Sequence, residues 1–189
     1  MFSSTRSAFI TIFLLLLSLS SIASPNETIE LVVLRSKHTL IVKKGDIVLR
    51  SFKVAFGSGG RKAKLREGDH TTPKGIYVIK KKLDSERFHL FLQLNYPNVD
   101  DAKRAFKNHI ITQKEYRAII LAQSEGRMPP QNTALGGTIG IHGIGDETKE
   151  KLEIHQFIDW TKGCIAMRND EVDVLSQFIE GDTKVTITD

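Results

Sequence analysis

The chain has 189 residues, of which 40% are hydrophobic and 26% are charged, a composition typical of one globular domain. Its formal charge of +5 is modest and spread along the sequence, which argues against a nucleic-acid-binding protein. The densest basic run is RKAKLR at residues 61–66, and it lacks interleaved aromatic residues. We expect this run to be a solvated loop, with contact to an acidic polymer as the alternative.

The first 24 residues have the pattern of a secretory signal peptide. Arg6 precedes an apolar stretch over residues 8–17, and Ser21 and Ala23 are spaced like a cleavage site. The apolar stretch is shorter than the roughly 20 residues that span a bilayer, and an uncleaved anchor is the alternative. We therefore predict a periplasmic protein in which residues 25–189 form a single domain, with no stable membrane span after signal cleavage.

Strands dominate the first half of this domain. Residues 28–57 are rich in Val, Ile, Leu and Phe, and polar turns at residues 36–37 and 44–46 divide them into three predicted strands. A glycine-rich basic loop follows. Further strands are predicted over residues 76–80 and 88–97, the second because apolar side chains recur at every other position.

Helices are predicted mainly in the second half. Residues 100–109 and 112–126 have helical composition, and residues 138–145 resemble a strand that enters a glycine-rich turn. We predict a loop over residues 146–158, which could act as a lid. Asn169 is predicted to cap a helix with the apolar stripe Val172, Leu175, Phe178 and Ile179, before a closing strand. Together these elements predict a mainly β domain with two or three helices.

Cys164 is the only cysteine in a chain that we expect to be exported, where cysteines are usually paired. An unpaired cysteine is either a buried bystander or a reactive thiol. A nucleophilic thiolate needs a nearby base, and His142 fits best of the six histidines because it ends an apolar strand between Gly140 and Gly143. Gly163 permits a turn that exposes the thiol and frees N–H groups for an oxyanion. The arrangement suits acyl transfer.

Four segments occur in an order that resembles a known family: GDHTTPKGIYVI, LNYPN, IGIHG and DWTKGCIAMRNDEVDVL. Together they are similar to the L,D-transpeptidase catalytic domain, the YkuD-like family of cell-wall enzymes. The resemblance covers residues 29–189 and implies a β-sandwich-like catalytic fold that works without a cofactor. It implies that Cys164 is the acyl-accepting nucleophile and that His142 is its base.

The resemblance also implies a substrate, the peptide stem of peptidoglycan. The thiolate would attack the carbonyl of the third stem residue, commonly meso-diaminopimelate, and expel the terminal D-Ala. An amine of another stem would then resolve the acyl-enzyme into a 3→3 cross-link. Other family members attach a lipoprotein lysine or use water and so hydrolyse.

Two positions depart from the commonest family pattern. Lys162 stands where a histidine usually precedes the Gly-Cys pair, and Ala166 stands where arginine is common, although Arg168 could supply a guanidinium. The form DWTxGCIA resembles a periplasmic subgroup that includes an enzyme cleaving a peptidoglycan–lipoprotein bond. A hydrolase of the same family and a non-catalytic cell-wall-binding module therefore stay open as alternatives.

Several further residues are expected to line the site or to hold the oxyanion, and they are Gly143, His155, Thr161, Lys162, Gly163 and Arg168. A lysine near the thiol would favour the thiolate. A sortase-like transpeptidase also places histidine before cysteine and is one rival. A metal site built from His142, His155 and Cys164 is another, but the spacing matches no compact zinc motif, and we predict no metal.

Overall fold

Eight strands form one sheet in the computed structural model, which describes residues 28–189. The predicted signal peptide lies outside the described residues. In chain order the elements are β1 (Ile29–Leu34), β2 (Thr39–Lys44), β3 (Ile47–Lys53), β4 (Gly75–Ser85), β5 (His89–Leu94), α1 (Val99–Lys107), α2 (Gln113–Ser124), β6 (Gly140–Gly143), α3 (Lys149–Phe157), β7 (Ile165–Met167), α4 (Asn169–Ser176) and β8 (Lys184–Thr188). Among these residues, no helix is long and apolar enough to cross a membrane.

The sheet is nearly closed into a barrel, with the strand order β3-β2-β1-β8-β4-β5-β6-β7. The long strand β4 belongs to both halves, because its first residues pair with β8 and its later residues pair with β5. Isolated bridges join Ala55 to Ala166 and Gly57 to Thr161, so the chain that follows β3 reaches the β7 edge. The predicted mainly β class is confirmed, and the closure brings residues 55–57 beside Cys164.

Alternating apolar residues give the sheet a buried face. In β1 and β2 the side chains of Leu31, Val33, Leu40 and Val42 are all 0% exposed. Complete burial of such a side chain stabilises the fold by roughly 1.5–3 kcal/mol. The helices complete the core with Ala102, Ala105, Ile119, Val172 and Leu175.

Two local predictions were wrong. Residues 146–158, predicted as a loop, contain α3, which begins after Thr148, whose hydroxyl accepts the N–H of Lys151. No helix was predicted here, and the apolar residues Ile154 and Phe157 of α3 are exposed and form no stripe toward the core. The structure therefore has four α-helices where two or three were predicted. Asn169 is the first residue of α4, not its cap, because its side chain is bonded elsewhere.

Candidate functional site

Two parallel neighbouring strands carry the predicted pair. In the register of β6 and β7, His142 lies opposite Ala166 and Ile141 opposite Ile165, so Cys164 immediately precedes the paired residues of β7. The Cys164 sulfur is placed beside the beginning of β6, where the thiol donates to the Thr138 carbonyl oxygen at 3.5 Å. His142 and Cys164, 22 positions apart along the chain, are thus placed on neighbouring strands at one edge of the sheet.

The thiol of Cys164 is half-buried and neutral at rest. Removal from water raises its pKa to about 11, although the N–H of Gly140 and the charge of Lys64 both favour the thiolate. At neutral pH the sulfur therefore carries its proton. Nucleophilic attack from this site needs a base to accept that proton.

His142 is suited to be that base, because its imidazole is also neutral. Its Nδ1 lies 2.7 Å from the carbonyl oxygen of Gly143, and a carbonyl can only accept, so Nδ1 is assigned the proton. The lone pair of Nε2 is then available to accept a proton. Burial lowers the pKa of His142 to about 4, and the side chain is only 2% exposed.

Three aromatic rings surround the imidazole, and we call Phe88, Phe91 and Trp160 the aromatic wall. The ring centroids of Phe88 and His142 are 4.2 Å apart, and those of Phe91 and His142 are 6.1 Å apart. Trp160 meets the imidazole edge-on at 6.0 Å. The wall keeps water from His142, which is the physical cause of its lowered pKa.

The turn before Cys164 is braced by the hydroxyl of Thr161. This oxygen accepts the N–H of Gly163 at 3.1 Å and donates to the carbonyl of Cys164 at 2.7 Å. Gly163 has a φ of +125°, and an added Cβ there would lie 3.0 Å from the Thr71 carbonyl oxygen, so the turn requires glycine. Because the Gly163 N–H is already bonded, it is not free as an oxyanion donor.

A second brace fixes the turn after His142. The side-chain oxygen of Asn169 accepts the N–H of Gly145 at 3.0 Å, and its amide donates to the Gly145 carbonyl at 2.6 Å. A Cβ added to Gly143 would lie 2.5 Å from the Asn169 oxygen. Asn169 therefore holds the turn that contains Gly143, and the Gly143 carbonyl orients His142. No sequence pattern indicated this role, because Asn169 stood where a helix cap was expected.

A cavity of ≈310 Å³ opens beside Cys164, and no residue of the aromatic wall lines it. We call it the charged cavity, because its lining includes Lys64, Glu67, His70 and Lys162. Of these only Lys162 was expected at the site. The basic run at residues 61–66 was the signal for Lys64, but we expected a solvated loop, whereas the Lys64 side chain is 3% exposed.

The structure places His155 and Arg168 in another cavity, of ≈390 Å³, together with Lys53 and Glu171. His155 contacts the aromatic wall through Trp160, whose indole N–H donates to its Nδ1 at 3.4 Å. The rival metal site gains no support, because within residues 28–189 no three His, Cys, Asp or Glu side chains are grouped to hold an ion.

The model of the YkuD family, described as the L,D-transpeptidase catalytic domain, matches residues 28–187. The chain therefore belongs to the YkuD family of L,D-transpeptidase catalytic domains. The family resemblance inferred from the four sequence segments is confirmed. No curated protein sequence matches the chain.

Two solved structures share the fold. Bd1075 from Bdellovibrio bacteriovorus is 21% identical, with a TM-score of 0.55 over 86% of this chain and 48% of that one. Pgp2 from Campylobacter jejuni, a helical cell shape determining protein, is 19% identical, with a TM-score of 0.56 over 86% and 48%. The chain thus spans about half the length of either protein, and at these identities the likeness concerns the fold.

Proposed function

We propose that this protein is a periplasmic, cysteine-dependent L,D-transpeptidase that acts on peptidoglycan stem peptides through an acyl-enzyme on Cys164. Membership of the YkuD family supports the substrate class. The observation that carries the chemistry is a neutral imidazole on β6, its Nδ1 held by Gly143, next to the strand that follows a half-buried thiol. No cofactor enters the proposed reaction.

The proposed first half-reaction forms a thioester. Nε2 of His142 takes the proton of Cys164 while the sulfur attacks the carbonyl carbon of the third stem residue. Because burial raises the pKa of the thiol and lowers that of the imidazole, we propose that proton transfer accompanies attack. We assign the oxyanion to the N–H of Cys164, since the N–H of Gly163 is bonded to Thr161. The bond to D-Ala then breaks, and His142 protonates the departing amine.

The second half-reaction depends on the acceptor. An amine from a second stem gives a 3→3 cross-link, and a lipoprotein lysine gives protein attachment. In each case His142 removes a proton from the incoming amine as its nitrogen attacks the thioester carbonyl. The C–S bond then breaks, and the departing Cys164 sulfur takes that proton back from His142. Water in the same position gives hydrolysis. We favour the amine acceptor, and the products decide between them.

The test is mass spectrometry of disaccharide-tetrapeptide incubated with the purified protein, with Cys164→Ala as the control. Cross-linked dimers that lack one D-Ala and depend on Cys164 support the transpeptidase. Loss of D-Ala with addition of water and no dimer means either that water is the acceptor or that the amine acceptor, such as a lipoprotein lysine, is absent from the mixture; lipoprotein-linked peptidoglycan is then the next substrate to test. Binding without any product identifies a non-catalytic wall-binding module and overturns the proposal.

A further inference from the structure

The helix α3 buries a histidine where a helix usually buries apolar residues. Ile154 and Phe157 are exposed, whereas His155 of the same helix is only 8% exposed. A buried imidazole loses its hydration and needs a hydrogen-bond partner. Trp160 supplies that partner, since its indole N–H donates to Nδ1 of His155 at 3.4 Å. The burial of His155 therefore accompanies a specific polar contact and not the packing of an apolar stripe.

Trp160 also contacts the imidazole of His142. The two rings meet edge-on, with centroids 6.0 Å apart. The backbone beside Trp160 is held by the N–H of Thr161, which donates to the Phe56 carbonyl at 3.0 Å. This bond does not fix the orientation of the indole, which depends on two side-chain torsions. The bond to His155 supplies that constraint, so it helps to keep the indole against His142.

The bond between the two side chains requires a neutral His155. The indole N–H can only donate, so Nδ1 of His155 is assigned the lone pair and Nε2 the proton. Protonation would place a hydrogen on Nδ1, and two donors would then face each other. The indole would lose its acceptor, and its ring would no longer be held in this orientation.

Solvent can supply the proton through the cavity of ≈390 Å³ that His155 lines. The charged groups around His155 come from several elements, and they are Lys53 of β3, Glu147 before α3, Lys149 and Glu153 of α3, Arg168 before α4 and Glu171 of α4. Burial lowers the pKa of His155 below its usual 6.5, and the charges of Lys53 and Arg168 lower it further, while Glu147 opposes them. His155 is therefore neutral at neutral pH and becomes charged in acid.

We propose that His155 is a positioning residue that holds the indole of Trp160 against His142 while it is neutral and releases the indole when it is protonated, so that acid switches the site off. The proposal rests on the proposed function, because it takes His142 as the base. A protonated His155 would repel a proton on His142, so the loss of activity comes from the released ring and not from a protonated base.

The experiment uses Trp160 as its own reporter, because it is the only tryptophan in the chain. Fluorescence of the substrate-free protein is recorded from about pH 8 to about pH 5 for the wild type, His155→Asn, His155→Leu and His142→Gln. The side-chain oxygen of asparagine can accept an N–H without titrating, whereas leucine cannot accept one. His109→Asn, at an exposed histidine after α1, is the matched control.

The wild-type fluorescence should change in one step below pH 6.5, because a charged imidazole beside the indole quenches its emission. His142→Gln and His109→Asn should keep this step, and His155→Asn and His155→Leu should lose it. A step that persists in His155→Asn, or no step in the wild type, would overturn the proposal.

The rate of D-Ala release shows whether the held ring positions the base. His155→Leu should lower kcat about tenfold at neutral pH with KM little changed, as for a lost neutral hydrogen bond. His155→Asn should keep the kcat of the wild type at neutral pH and retain it in acid, where the wild-type kcat falls. An unchanged kcat in His155→Leu, or the same acid profile in His155→Asn as in the wild type, would contradict the positioning role.

The two readouts keep this proposal apart from the proposed function. If D-Ala release depends on Cys164 and His142 while the His155 variants behave as the wild type, only the positioning role fails. If no product depends on Cys164, the proposed function fails, and the positioning of a base by His155 fails with it.

Discussion

The surroundings of His142 and of Cys164 differ in polarity. The aromatic wall excludes water from His142, whereas the charged cavity beside Cys164 offers the exposed side chains of Lys162 and Glu67 to solvent. Burial keeps the imidazole neutral, which a base requires. The charges beside Cys164 stay hydrated. The contrast teaches that the two residues of the predicted pair lie in environments of different polarity.

The largest effect on the apolar side should come from removing the base. His142→Gln keeps a polar side chain of similar size but cannot accept the thiol proton at neutral pH. We expect the rate of D-Ala release in a single turnover to fall by about 10²–10⁴-fold. His109→Asn, at an exposed histidine after α1 with a positive φ that asparagine tolerates, is the control. A rate within a few-fold of wild type would remove His142 from the mechanism.

The brace before Cys164 should have the next largest effect. Thr161→Val removes the hydroxyl that bonds the N–H of Gly163 and the carbonyl of Cys164, and an unpaired buried group costs about 1–3 kcal/mol. We expect kcat/KM to fall by about 10²-fold. Thr161→Ser should restore activity, and Thr186→Val on β8 should leave it unchanged. Failure of serine to rescue would show that the methyl group, not the hydroxyl, matters.

The aromatic wall should also make stability depend on pH. The folded pKa of His142, about 4, lies below the unfolded value of 6.5, so the unfolded chain binds more protons between these values and stability falls as pH falls. From pH 7 to pH 5 the wild type should lose about 2 kcal/mol more than His142→Gln in urea denaturation. Equal losses in both proteins would mean that His142 is not desolvated.

The smallest effect is expected from the Asn169 brace, which acts on His142 only through the turn at residues 143–145. Asn169→Ala frees the Gly145 turn and loosens the Gly143 carbonyl that holds His142 Nδ1. We expect kcat to fall by about tenfold with KM little changed, as for a lost neutral hydrogen-bonded brace. Nitrogen NMR of the imidazole should show more of the Nε2-protonated tautomer. Asn108→Ala, which removes an exposed side-chain bond at the end of α1, is the control. An unchanged tautomer and kcat would reduce Asn169 to a structural role.

The sequence predicted the chemical pair better than its surroundings. Cys164 and His142 belong to short motifs beside glycines, and the parallel pairing of β6 and β7 places these motifs together. The braces and the charged cavity depend on contacts between distant segments, such as Glu67 with Gly136 and Asn169 with Gly145. No local pattern encodes such contacts. Lys64 looked like part of a solvated run because the Tyr96 ring beneath it is distant in the sequence and becomes a neighbour only in the fold.

The helix α3 was missed for a related reason. Helix prediction relied on an apolar stripe that faces the core, and Phe157 of α3 is 79% exposed. Thr148, which caps α3, was the one signal in the sequence for this helix. A single capping residue does not predict a helix without an apolar stripe. The helices that do pack against the core were predicted correctly at residues 100–109 and 112–126.

The most direct test of the account is to trap the covalent intermediate. The protein is mixed with stem tetrapeptide, quenched in acid within the first turnover, and mapped by peptide mass spectrometry. We predict a thioester between Cys164 and the stem lacking D-Ala, absent in Cys164→Ala and much reduced in His142→Gln. D-Ala release that persists in Cys164→Ala, or an acyl group on any other residue, would contradict it.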